Sequence, residues 1–148
     1  MRKKLEEDIH NLGLCGFVHL AGLQSDMPNI YASIDVLAST SYSEAMPLAI
    51  IEAMASGLAV VSTNVGGIVD IVEAGRTGLL NKVGDLNGLA TNIVTLMSDA
   101  STRAAMGKAA RKRVKEKFEL SQSVTQTGAL LSSLTPTGYH GVLSVGNV

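Results

Sequence analysis

A parallel α/β domain is the fold class this sequence predicts, and three observations carry the prediction. Short apolar runs alternate with longer helical patterns, the order expected of βα units around a parallel sheet. The apolar runs are nearly continuous, as strands covered on both faces by crossover helices are, whereas half-exposed antiparallel strands would alternate. Gly13, Gly57 and Gly75 stand just past three of the helix candidates, where a left-handed glycine stops a helix.

The elements follow in order. Residues 2 to 12, RKKLEEDIHNL, mix both charge signs and read as an ordinary surface helix. FVHLA (17 to 21) is the first strand candidate, and a helix over 26 to 33 leads to the second, DVLAS (35 to 39). Pro47 suits the first turn of a helix spanning 47 to 56, because its missing N–H is no loss there. LAVVST (58 to 63), a helix over 67 to 74, and TGLLN (77 to 81) complete the alternation. The chain then turns helical over 85 to 98, 101 to 118 and 121 to 133, with Asp85 and Ser101 as expected N-caps. Residues 1 to 133 are expected to form one Rossmann-like domain. The remainder, 134 to 148, loses the pattern and gathers Gly, Thr and Ser, so a loose tail and one added strand both fit it.

Composition narrows the function classes. With 148 residues the chain suffices for one domain with a real core. Twelve basic and thirteen acidic side chains leave a net charge of −1, which gives no electrostatic footprint for nucleic acid. Around the densest basic stretch, KAARKRVKEKF (108 to 118), Met106, Ala110, Val114 and Phe118 recur every four residues. It reads as a solvated amphipathic helix or as a docking face for a partner or anionic lipid. No apolar run approaches the roughly 20 residues needed to span a bilayer, and the N-terminus lacks a signal-peptide pattern. The lone Cys15 excludes an internal disulfide and a cysteine-built metal site, fits a reducing cytoplasm, and is expected to be a small buried residue.

The stretch SEAMPLAIIEAMASG concentrates the chemistry. Glu52 is the only charge in PLAIIEAMAS and shares a helical stripe with Leu48, Ile51 and Ala55, so it is expected to lie on a buried helix, where an ionised carboxylate needs hydrogen-bond partners. Glu44 stands in the loop feeding that helix, either as a plain loop carboxylate or as one half of a site. The amides near Met46, Leu48 and Ala49 point out of the helix's positive end, between the two carboxylates, and make a phosphate-type anion site. The helix begins at the carboxyl end of a strand, where open parallel sheets bind ligands.

Residues SYSEAMPLAIIEAMASGLAVVSTNVGGIVDIVEAGRTGLL resemble the nucleotide-sugar-binding domain of the retaining glycosyltransferases of family 4, which have the GT-B fold. That family's hallmark is a glutamate, seven residues and a second glutamate, then a small-residue helix end, an apolar strand and a Gly-Gly turn. Glu44, Glu52, Gly57, the strand to Thr63 and Gly66-Gly67 fall on those positions, and the similarity extends over about residues 5 to 120. The resemblance implies that Glu44 is catalytic, holding donor-sugar hydroxyls and stabilising the transition state. It implies that Glu52 takes the ribose hydroxyls, that the amides around Ala45, Met46 and Leu48 receive the diphosphate, and that Gly66 and Gly67 turn the chain beside the sugar. A turn requiring positive φ explains the two glycines equally well. The implied donor is a UDP-, GDP- or ADP-sugar, with no other cofactor and usually no metal, in keeping with the absence of an Asp-x-Asp or a His cluster from the sequence.

Two departures bear on activity. Ala45 stands where the family usually has glycine. The resemblance also places the family's diphosphate-neutralising Arg and Lys upstream of Met1, and its acceptor in a cleft with an N-terminal domain, so the chain by itself is expected to transfer no sugar. On that alignment FVHLA loses its strand neighbours. It is expected to pair directly with DVLAS, or the open edge is covered by the tail or by a second copy in a homodimer.

Overall fold

The computed structural model describes residues 1–134. The chain divides into two units, Met1–Ile30 and a larger one beginning at Tyr31.

The first unit holds helix α1 (Arg2–Asn11), none of whose residues is buried, as its mixed charges predict. It stops at Gly13, whose φ is 69°: the Gly13 and Leu14 amides donate back to His10 and Ile9 carbonyls at 3.0 and 2.9 Å. FVHLA is not a strand. Phe17 and Val18 donate instead to the Leu14 carbonyl at 2.9 Å, and Phe17 is 83% exposed. The apolar run has the composition of a strand but no neighbouring strand among the described residues, and a strand without a neighbour leaves its donors unpaired. Cys15 is exposed, not buried, because this unit encloses none of the buried core. Helix α2 (Met27–Ser33) begins at the end of this unit and runs into the next.

In the larger unit a three-stranded parallel sheet is ordered β1 (Val36–Ser39), β2 (Ala59–Thr63), β3 (Gly78–Asn81). Val36 pairs with Ala59 through to Ser39 with Ser62, and Val60 pairs with Gly78 through to Thr63 with Asn81. Central β2 is buried along its whole length. Val60 faces one core with Ile50 and Met54 of α3 (Leu48–Ala55), Ile68 and Ile71 of α4 (Ile68–Ile71), and Ala110 and Val114 of α6 (Ala100–Lys117). Ala59 and Val61 face the other core with Leu96 of α5 (Leu86–Ser98), joined by Val36, Leu79 and Ile93. Two cores on opposite sides of one strand are what the near-continuous apolar runs require.

Helix ends follow side-chain chemistry. The Gly57 and Leu58 amides close α3 onto the Met54 and Ala53 carbonyls, with Gly57 at φ 86°. Asp85 caps α5 as expected, accepting from the Gly88 amide at 2.9 Å. For α6 the cap is Asp99, which accepts from the Thr102 amide at 3.0 Å; Ser101 lies inside the helix. Helix α4 is shorter than the expected 67 to 74. Arg113 of α6 donates to the Asp70 and Ile71 carbonyls, both at 2.6 Å, and to the Glu73 carboxylate, while Thr77 Oγ1 accepts from the Glu73 amide at 2.9 Å. Those bonds satisfy the helix's last carbonyls where another turn would otherwise form. Burial pulls the Glu73 carboxyl up, but the Arg76 hydrogen bond and the Arg113 charge outweigh it and leave the group below the usual carboxylate range.

Met106, Ala110, Val114 and Phe118 do form the packed stripe of α6, with Lys108, Arg111, Lys112 and Lys115 exposed. Helix α7 (Leu120–Leu134) occupies the expected 121 to 133. The expected tail or added strand lies outside the described residues.

Helix α6 crosses α3 so closely that a Cβ on Gly107 would lie 2.0 Å from the Gly57 carbonyl oxygen, whereas one on Gly128 in α7 would meet nothing within 4 Å. Gly107→Ala should therefore cost about 1–3 kcal/mol by overpacking, and Gly128→Ala should stabilise by up to about 1 kcal/mol through helix propensity. Urea unfolding of the two variants checks the opposite signs.

Candidate functional site

The candidate residues gather past the carboxyl ends of β1 and β2, which the parallel register sets side by side. The connection leaving β1, residues 40 to 47, carries Glu44. The one leaving β2, residues 64 to 67, carries Gly66 and Gly67. They are bonded to each other: the Gly67 amide donates to the Glu44 carbonyl at 3.0 Å, and Thr63 Oγ1, at the end of β2, donates to the Ser41 carbonyl at 2.6 Å.

The glycines are there for closeness as well as conformation. A Cβ on Gly66 would fall 1.8 Å from the Glu44 carbonyl oxygen, and one on Gly67 would fall 2.0 Å from that of Ala45. Gly66 also has φ 46°. The positive-φ reading of the turn therefore holds at Gly66 and not at Gly67, whose φ is −68°; there close backbone approach is the reason.

Glu44 is half-buried and accepts from Ser41 Oγ at 2.8 Å through Oε1. The structure thus unites Glu44, Ala45, Gly66 and Gly67 in one cluster. Glu52 stands apart from it in the bonding pattern: its Oε2 accepts from the Tyr31 hydroxyl at 2.9 Å.

Helix α3 differs from expectation in two respects. Pro47 is the N-cap and not its first residue; its extended backbone has ψ 90°, and its carbonyl accepts from the Ile50 amide at 3.0 Å. Glu52 is consequently the fifth helical residue, about 6 Å along the axis from Leu48. The stripe of Leu48, Glu52 and Ala55 is exposed, not buried, because Ile50, Ala53 and Met54 form the packed face. Glu52 is solvent-exposed, and among the described residues the Tyr31 hydroxyl is the group bonded to its carboxylate. Met46 and Leu48 are each 62% exposed, and Ala45 is exposed as well. As the first helical residues, Leu48 and Ala49 have amides with no carbonyl partner inside the helix, so an anion can approach them.

Tyr31, Ser41 and Thr63 escaped the sequence reading. Ser41 left a local signal, a hydroxyl three residues before a carboxylate. Tyr31 left none, being 21 positions from Glu52 in a helix whose tyrosine looks like ordinary core.

The first 113 residues match the family model described as "Glycosyl transferases group 1". The chain belongs to that family. The chain is 42% identical to sulfoquinovosyl transferase SQD2 of Arabidopsis thaliana over 108 residues, covering 70% of this chain and 21% of that protein. It is 34% identical to N-acetyl-alpha-D-glucosaminyl L-malate synthase of Bacillus anthracis over 118 residues, covering 80% of this chain and 31% of the relative. Among solved structures, Anabaena HepE in complex with UDP superposes with a TM-score of 0.86 at 33% identity, covering 89% of this chain and 36% of HepE; HepE is also solved with UDP-glucose. The group 1 glycosyl transferase architecture is the GT-B fold, and the parallel sheet with flanking helices matches part of it. The chain spans about a fifth to a third of these relatives' length.

Within this group 1 glycosyl transferase chain, the Tyr31–Glu52 bond has a measurable signature. Tyr31 is 4% exposed. Burial, followed by the hydrogen bond to Glu52 and the Glu52 charge, pushes its phenol from 10.0 up to about 12. The folded state holds that proton more tightly than the unfolded chain, so the stabilisation is complete below pH 10 and is lost as pH rises to about 12. Denaturant unfolding should give a constant stability difference between wild type and Tyr31→Phe below pH 10, shrinking above it as the wild type loses its advantage.

Proposed function

We propose that this chain is the donor-binding part of a retaining glycosyltransferase that takes a nucleotide diphosphate sugar and passes the sugar to an acceptor hydroxyl. The observation that carries the reading is the cluster at the sheet's carboxyl edge. There Glu44, the Gly66-Gly67 turn and the amide end of α3 share one region, in a chain whose solved relative holds UDP-glucose. Each part has a role that its chemistry supports. Glu44, fixed by Ser41, offers a carboxylate to sugar hydroxyls and to positive charge developing at the anomeric carbon. The amides around Met46, Leu48 and Ala49 receive the diphosphate. Glu52, with one oxygen engaged by Tyr31, accepts from the ribose hydroxyls. The donor is a UDP-, GDP- or ADP-sugar, and UDP-glucose is the first to try.

The acceptor belongs in this proposal to a cleft with an N-terminal domain. That region would also supply the cations that neutralise the departing diphosphate, a charge term no group in the cluster provides. The isolated chain should therefore bind a nucleotide and form no glycoside. Calorimetric titration with UDP, GDP and ADP and their glucose or mannose conjugates should find one base that binds. Glu52→Ala should weaken that binding about tenfold or more, the worth of hydrogen bonds to a charged group. No binding of any nucleotide at millimolar concentration, or glycoside product from the chain alone, would contradict the respective halves of the proposal.

A second reading, an assembly module that completes its sheet with a partner, is favoured by the exposed sheet margin. Strand β1 ends the sheet, with Val36 and Leu37 only half-buried and Ala38 exposed. In that reading two copies pair through β1 as a homodimer, and sedimentation of the purified chain should give twice the monomer mass. A monomeric mass at high protein concentration would remove this reading.

A further inference from the structure

We propose that Tyr31 is a positioning residue for Glu52: its buried hydroxyl holds one carboxylate oxygen and leaves the other as the acceptor for a ligand diol. The inference rests on the nucleotide-sugar reading above. The geometry is specific. Tyr31 is 4% exposed, and its hydroxyl donates to Oε2 of Glu52 at 2.9 Å, while Oε1 has no partner among the described residues.

Glu52 itself is exposed and sits in the middle of α3. A glutamate so placed needs no partner, because water solvates it, and its three side-chain torsions would otherwise leave the carboxylate undirected. The tyrosine ties down the far end of that chain. It also sets the polarity of the site. With the Tyr31 hydroxyl donating to Oε2, the remaining carboxylate oxygen is left to accept. Groups that donate, such as the two adjacent hydroxyls of a ribose, are bound; a phosphate on either of those oxygens would meet a fixed negative charge and be rejected.

A merely structural role gives a different expectation. Buried tyrosines usually find some partner for the hydroxyl, and Glu52 could be only that. In that case losing the hydroxyl would loosen the fold without regard to which ligand is present.

The experiment titrates wild type and Tyr31→Phe with UDP and with 2′,3′-dideoxyuridine 5′-diphosphate by calorimetry, using the full chain and confirming a cooperative unfolding transition for each variant. Wild type should bind UDP more tightly than the dideoxy analogue. Tyr31→Phe should weaken UDP about tenfold, the scale of losing a residue that orients a ligating group, and leave the analogue unchanged. Ultraviolet titration of tyrosinate supplies a readout independent of ligand: Glu52→Gln should move the late-ionising tyrosine to lower pH. Equal losses for both ligands, no loss for either, or a wild type indifferent to the missing hydroxyls would overturn the proposal. A wild type that binds neither ligand has a separate signature and overturns the nucleotide reading together with this inference.

Discussion

The closeness of two backbones governs this region of the molecule. The chain leaving β1 and the chain leaving β2 meet with the Gly67 amide on the Glu44 carbonyl, at a spacing that admits no side chain on residues 66 or 67. The contact follows from the parallel register, which brings Ser39 opposite Ser62 and so releases the two connections from adjacent strands at the same level. Thr63, the last residue of β2, adds a bond to the Ser41 carbonyl, and Ser41 in turn steadies Glu44. Loops are ordinarily the soft part of an α/β domain, but here the candidate carboxylate hangs on a loop zipped to its neighbour. Its position is inherited from the sheet.

Beneath that edge, β2 is the common wall of two cores, one built with α3, α4 and α6 and the other with α5. Because successive strand residues face opposite sides, Val60 and Val61 belong to different cores although they are neighbours in sequence. Helix α3 is held by Ile50, Ala53 and Met54 and presents its opposite side, with Leu48 and Glu52, to solvent. One short helix thus seals the interior and displays the polar group that sequence reasoning picks out.

Much of this was legible in the residues. The three paired strands, the seven helices of the described residues and the Gly-Gly turn follow from apolar continuity, helix-stop glycines and the Asp85 cap, all of which act over a few positions. What was not legible depends on partners far along the chain. FVHLA has strand composition, but whether a strand exists depends on a neighbour to pair with. The stripe containing Glu52 looks buried when a helix is read as apolar all round; only the packing against β2 and α6 decides which side is covered. Asp99 took the cap from Ser101 because the helix starts earlier than the serine suggests. The Tyr31–Glu52 bond joins two helices and obeys no spacing rule.

Arg113 gives the molecule an order in time. From α6 it binds the last carbonyls of α4 and the Glu73 carboxylate, forty or more residues earlier in the chain. Helix α4 starts immediately after Gly67, so this one guanidinium braces from behind the turn that meets Glu44. A polypeptide is made from its N-terminus, and contacts across long sequence separations wait for both ends to be present. On the ribosome, the two loops at the sheet edge emerge well before their brace does. The Glu44 loop and the Gly-Gly turn are thus synthesised before the α6 residue that braces them.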